Sequence, residues 1–228
     1  MNMMMKNTQD AILETSIESP ESIPQLASLV PSINARIPEI GFVLLKRLAH
    51  ELRVTSEPRH IHVLHILSQL LGCLINQRVV YDILATQFLL VLLKKPEDEE
   101  RIEVAINFLL ECGYTLLDNS PTLLDYVFER LVEIYNSREV RNISRRLIES
   151  MFIIKRDCFP GFEIRSPALE DQFTHEIPLD YHSDHESLLD VLKANLGFLE
   201  NINLGTEKSL KNVLHCDWEV VKNNKLCG

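Results

Sequence analysis

The sequence predicts an all-α fold: a stack of antiparallel helix hairpins, followed by an extended strap and short trailing helices. Three observations lead there. Apolar residues recur at three- and four-residue intervals through most of residues 38–154. Short turns carrying Ser, Pro or Gly interrupt these runs at fairly even distances. Strand-like alternation is confined to one late segment, QFTHEIPLD, Gln172–Asp180.

Residues 1–33 read as a weakly structured leader, because Pro20, Pro24 and Pro31 interrupt each apolar patch before it completes a helix. From Pro38 the pattern changes. Ile40, Leu44, Leu48 and Leu52 form one stripe, with Lys46, Arg47 and Glu51 turned away from it. Ser56 and Pro58 suit the start of a second helix, striped by Leu64, Leu67, Leu71 and Leu74. Asn76 and Gln77 fall at the following turn, where their amides can cap free backbone groups.

A third helix is predicted over Val79–Lys94. It is apolar nearly all round at Phe88–Leu93, which implies burial on several sides, and Pro96 ends it. The acids of PEDEE, Pro96–Glu100, then suit the positive end of the next helix dipole. That helix turns Val104, Phe108 and Leu109 inward, and Gly113 is placed for a left-handed residue just past its end. Ser120 is a cap and Pro121 a first helical residue for the following helix. There Leu123/Leu124, Val127/Phe128 and Leu131/Val132 repeat every four residues. Ser137 is read as the cap of a sixth helix with Val140, Ile143, Leu147, Met151 and Ile154 inward.

The hairpin recurs every ~40 residues, within the range of HEAT and armadillo solenoids. Residues 34–159 therefore form the helical array, and 160–216 the strap and trailing helices. Residues 217–228 form a tail. Ser183 and Glu186 have capping-box spacing ahead of Leu188, Leu189 and Leu192, and a last amphipathic piece covers Thr206–His215.

Composition narrows the function. A net charge of -10 argues against a protein that coats nucleic acid. Five scattered cysteines without a C-x-x-C pair argue against a disulfide framework or structural zinc, and for a reducing compartment. Cys73 and Cys112 fall on apolar faces and fill space. The first residues lack a signal-peptide pattern, and FLLVLL, Phe88–Leu93, is too short to span a bilayer, so a soluble intracellular chain without membrane contact is expected. His62 and His65, or His182, Asp184 and His185, invite a metal-dependent hydrolase reading, but neither cluster has the H-E-x-x-H pattern of a zinc helix. No catalytic residue, metal or cofactor is assigned. Arg138, Arg141 and Arg145 form a stripe that could meet acidic protein or RNA, although Glu149 lies four residues from Arg145 and offers it a partner.

Several segments carry a family resemblance: LINQRVVYDILA (Leu74–Ala85), INFLLECGYTL (Ile106–Leu116), the Ser120–Pro121 pair and FERL (Phe128–Leu131). Further along, LEDQFTHEIPL (Leu169–Leu179) and LLDVLKANLGFLEN (Leu188–Asn201) extend it. Over roughly Ile33–Leu214 the chain resembles the HEAT-type middle domain of the translation initiation factor four-G family. The version it is similar to is the one carried by the pre-mRNA-splicing factors called CWC-twenty-two, or nucampholin. The resemblance implies a non-enzymatic nuclear adaptor of the spliceosome and nuclear speckles. Its partners would be spliceosomal proteins and a DEAD-box RNA helicase of the exon junction complex, whose two lobes it would keep apart, with at most weak RNA contact.

By the same resemblance, Lys155, Arg156 and Asp157 would face the partner with Phe159 packed beneath, and Arg145 would stand nearby. Cys158 replaces a family lysine. Family helices ahead of Ile33 and a following MA-three domain are not matched, which implies a shortened relative, a fragment, or a degenerate paralogue acting only as a scaffold. Docking of the acidic strap, with Phe173, Ile177 and Leu179, back onto its own solenoid is expected.

Overall fold

The computed structural model describes residues 11–55, 60–161 and 173–179. Residues 11–18 are helical (α1), and a 3-10 turn at Pro20–Ser22 leads into α2, Ile23–Arg36. The leader is thus not weakly structured from residue 11 onward. Pro20 and Pro24 fall within the first turns of their elements, where a missing N–H costs nothing. Pro31 lies inside α2, and burial of Ile23, Ala27, Val30 and Pro31 outweighs the backbone bond it removes.

The array continues with α3 (Pro38–Val54), α4 (Ile61–Asn76), α5 (Asp82–Leu92), α6 (Glu99–Asn119), α7 (Pro121–Asn136) and α8 (Asn142–Arg156). The expected start signals Ser56 and Pro58 lie outside the described residues. Successive even-numbered helices pack side by side, α2 on α4, α4 on α6 and α6 on α8, while α5 packs on α7 in a second layer. The even helices begin at residues 23, 61, 99 and 142, a step of about 40 residues. An α-solenoid built from hairpins is the observed architecture.

Helix α5 packs against α4, α6 and α7, and Leu84 through Leu92 are all buried, as its all-round apolar pattern requires. It starts at Asp82, later than expected, because Val79 and Val80 serve another contact described below. Asp98 caps α6, accepting the Arg101 N–H, and Pro121 occupies the first turn of α7. Ser137 does not cap α8; its hydroxyl accepts the Glu139 N–H inside the preceding turn, and Arg141 holds the cap position.

Both α4 and α8 end in the same Schellman geometry. Val79 N–H reaches Leu74 O at 3.0 Å and Arg78 N–H reaches Ile75 O at 2.9 Å. Phe159 and Cys158 repeat this with Ile154 O and Lys155 O at 2.8 and 2.9 Å. Arg78 and Cys158 take the left-handed φ, 55° and 58°, that glycine would adopt more cheaply.

Polar side chains tie each repeat to the next at a separation of one repeat. Asn76 Nδ2 donates to Glu111 O at 2.8 Å and its Oδ1 accepts from Thr115. The Ser120 hydroxyl donates to Asp82 at 2.7 Å, so the residue expected to cap α7 instead joins α7 to α5. Arg130 donates to the carbonyls of Leu93 and Lys94, covering the free C-terminal end of α5. These ties resist sliding between hairpins.

The strap, residues 173–179, docks on its own domain. His175 N–H donates to Val79 O at 2.9 Å, Tyr81 N–H donates to His175 O at 3.1 Å, and Val80 and His175 form a parallel bridge. Leu179 N–H donates to Gln87 of α5 at 2.8 Å, and Ile177 and Leu179 are buried. At the other end Asn34 of α2 donates to Phe173 O at 2.6 Å and accepts from His175 Nε2 at 2.7 Å. Asn34 uses its amide N–H on Phe173, so its oxygen must accept and His175 carries its proton on Nε2. Gly41 of α3 makes room, since a Cβ there would collide with the Asn34 amide.

Burial holds the His175 imidazole below its ordinary 6.5. The unfolded chain therefore takes up the proton first, and stability falls as pH drops below 6.5 towards the folded value. We expect the thermal midpoint to rise with pH through this window, and a His175→Gln variant to show a flatter profile. A slope unchanged by the substitution would remove His175 as its source.

Candidate partner-binding surface

The C-terminal turn of α8 brings the expected site residues together, in roles that differ from one another. Lys155 is buried, 3% exposed. Its Nζ pairs with Asp125 of α7 at 2.7 Å and lies 4.4 Å from the Phe128 ring centre. The expectation that Lys155 faces a partner is corrected: its cation is spent on α7. The long alkyl stem lets a lysine at a helix end reach inward across an apolar surface.

Arg156 and Asp157 are exposed and pair with each other, at 2.9 and 3.2 Å in a two-point fork. The Asp157 contact holds the guanidinium above its ordinary pKa, and Arg156 holds the carboxyl below the usual range. Phe159 is wholly buried, and its ring lies against Gly113. Gly113 is therefore not a residue past a helix end. It sits inside α6, with no left-handed φ, and its missing side chain admits the ring.

Arg145 is half-buried and turned to its own neighbourhood. It donates to Ser137 O at 3.0 Å and stands 5.7 Å from the Tyr135 ring centre. Glu149, the partner expected for it, instead accepts from the Tyr135 hydroxyl at 2.6 Å. Arg141 pairs with Glu99 at 3.1 Å, so the arginine stripe is partly committed within the fold. Asn76 crosses to α6 rather than capping its own turn, and Gln77 occupies the C-cap of α4.

A cleft of about 310 Å³ lies between the strap and the α6–α7 turn, lined by Ile75, Arg78, Tyr81, Asp82, Ser120 and Thr174 among others. Burial raises the Asp82 carboxyl, opposed by the Ser120 hydroxyl and the Arg78 guanidinium. Cys73 donates to Glu111 at 3.4 Å, and burial followed by the Glu111 charge pushes its thiol up to about 12, away from the reactive thiolate. Buried Cys112 is also held well above its ordinary value, chiefly by desolvation. Among the described residues no three His, Cys, Asp or Glu are grouped to hold a metal, and no helix is long and apolar enough to cross a membrane. His182, Asp184 and His185, the basis of the hydrolase reading, lie outside them.

Sequence reading missed Asn34, Gly41, Asp125 and Arg130. The signal for Asn34 and His175 was weakest, because they meet across 141 positions. For Gly41, a glycine within an otherwise unbroken helical stripe was a usable hint of close approach.

The MIF4G domain family matches residues 4–192, which includes the leader. Pre-mRNA-splicing factor CWC22 homologs are 36% identical in Danio rerio and 35% in Homo sapiens, each over 196 residues and 84% of this chain. The Drosophila melanogaster homolog is 35% identical over the same length. The chain spans 20%, 22% and 15% of these three relatives' own lengths. With the family model covering most of the chain and a helical hairpin array among the described residues, this chain belongs to the MIF4G domain family.

Proposed function

We propose that the chain is a non-catalytic adaptor in pre-mRNA splicing that acts in the nucleus. It binds an exon-junction DEAD-box RNA helicase and spliceosomal proteins. The observation that carries this reading is the similarity to CWC22 splicing factors across 84% of the chain. The fold supports it physically. A stack tied between repeats by Asn76, Ser120 and Arg130 presents a surface of fixed shape, and a partner with two lobe arrangements shifts towards the one that fits.

With Lys155 withdrawn into the fold, the contact set narrows to the exposed Arg156–Asp157 fork. It is preorganised by its internal pair and raised on the buried Phe159. Arg145 and Lys155 hold the last helix in place, and any RNA contact is secondary.

The test is the RNA-stimulated ATPase of the purified helicase with increasing chain. Inhibition is expected, and an Arg156→Glu, Asp157→Arg double variant should need at least about fivefold more protein for the same effect. ATPase unchanged at saturating chain would overturn the helicase reading.

A further inference from the structure

The cleft between the strap and the α6–α7 turn is rimmed by side chains that the fold itself uses little. Arg78, Tyr81 and Asn119 are exposed on it, and Tyr81 keeps 54% of its surface in solvent. Its volume, about 310 Å³, is at the lower end of the range for binding sites.

Arg78 is the residue that needs a reason. It holds φ at 55°, in the left-handed region where a side chain is costly and glycine is not. Strain of this kind gathers where a ligand is clamped. The structural work of position 78 is done by its backbone. Its N–H closes the end of α4 on Ile75 O at 2.9 Å, and its carbonyl accepts from the Thr174 hydroxyl at 2.8 Å. Glycine would serve both contacts. The side chain has one hydrogen bond, to Asn119 Oδ1 at 3.5 Å, the outer limit of such a contact. Among the described residues no carboxylate pairs with it. Asp82 lines the same cleft but takes the Ser120 hydroxyl at 2.7 Å, and feels Arg78 only through space.

We propose that this cleft is a docking site for an extended acidic segment of a partner protein. Arg78 takes a carboxylate of that segment in a two-point fork. The exposed Tyr81 ring packs on the neighbouring side chain, and Asp82 offers an acceptor to a backbone N–H. Charge favours a peptide over nucleic acid. One guanidinium matches one carboxylate, whereas a net charge of -10, with Asp82 in the cleft and Asp118 exposed next to Asn119, repels a polyanion. The inference stands on the cleft alone and does not depend on the splicing reading.

The test selects a random peptide display library on the full chain, then titrates the best selected sequence as a labelled synthetic peptide. Selected peptides should share an Asp or Glu. Replacing that acid by its amide, or making Arg78→Gln, should weaken binding at least about tenfold. Thermal unfolding separates this role from a structural one. Arg78→Gln should leave the midpoint where it is, and Arg78→Gly should lose binding while raising the midpoint by about 2 °C, because the strain is relieved. No enriched peptide, peptides without an acid, affinity unchanged in Arg78→Gln, or a midpoint that falls in either variant would overturn the assignment. So would displacement of the peptide by oligouridine, since nucleic acid would then be the occupant.

Discussion

Lys155→Glu is expected to destabilise the chain by about 3 kcal/mol, chiefly because it puts a carboxylate at a buried position. The half-exposed Asp125 keeps the loss below that of a fully buried pair. The new carboxylate would stand against Asp125, which now receives the Lys155 ammonium at 2.7 Å. It would also lie under the face of Phe128, whose ring quadrupole attracts cations and repels anions. Lys155→Met keeps the stem against Phe128 and loses the pair, so a smaller loss of about 1–2 kcal/mol is expected. Arg156→Glu, one residue away on the exposed side, should leave the unfolding midpoint where it is. Urea denaturation of the three variants checks the series. Equal midpoints for Lys155→Glu and Arg156→Glu would mean that the 155 side chain is solvated after all. The practical consequence is that a binding defect in any Lys155 variant reports on folding first.

The second large effect is a reversal of sign at Gly113. In the native background Gly113→Ala should cost about 2–3 kcal/mol, because the new methyl overlaps the Phe159 ring in a filled site. Phe159→Ala alone should cost about 3–5 kcal/mol as a large cavity mutation. In the Phe159→Ala background, however, Gly113→Ala should stabilise by about 1 kcal/mol, since alanine is the better helix former and the space is open. Equilibrium unfolding of the four proteins completes the cycle. A cost at Gly113 that is the same with and without Phe159 would assign the glycine to something other than the ring.

These two sites show what was readable in the sequence and what was not. The core helices were legible wherever apolar spacing and local stop signals agreed. Examples are Pro121 in the first turn of α7 and the all-round apolar α5. Reading failed where a local rule met a distant partner. Gly113 resembles a terminator until Phe159, 46 positions later, is seen to need its space. Lys155 looks like a solvated helix end until Asp125 is placed beneath it. Prolines argued against structure in the leader, yet two stand at element starts and the third is outweighed by packing.

The strap also sets a length standard. An open repeat array can lengthen or shorten by whole hairpins, because each unit touches only its neighbours. Here three residues of strap, Phe173 to His175, bridge from Asn34 of α2 to Val79 beyond α4. One more hairpin between those anchors would part them by another helix spacing of about 10 Å. A fully stretched pair of residues, at about 3.3 Å each, would not cover the added distance. The strap therefore works as a gauge of unit number. Insertions should be tolerated outside the gauged interval, α2 to α5, and rejected within it.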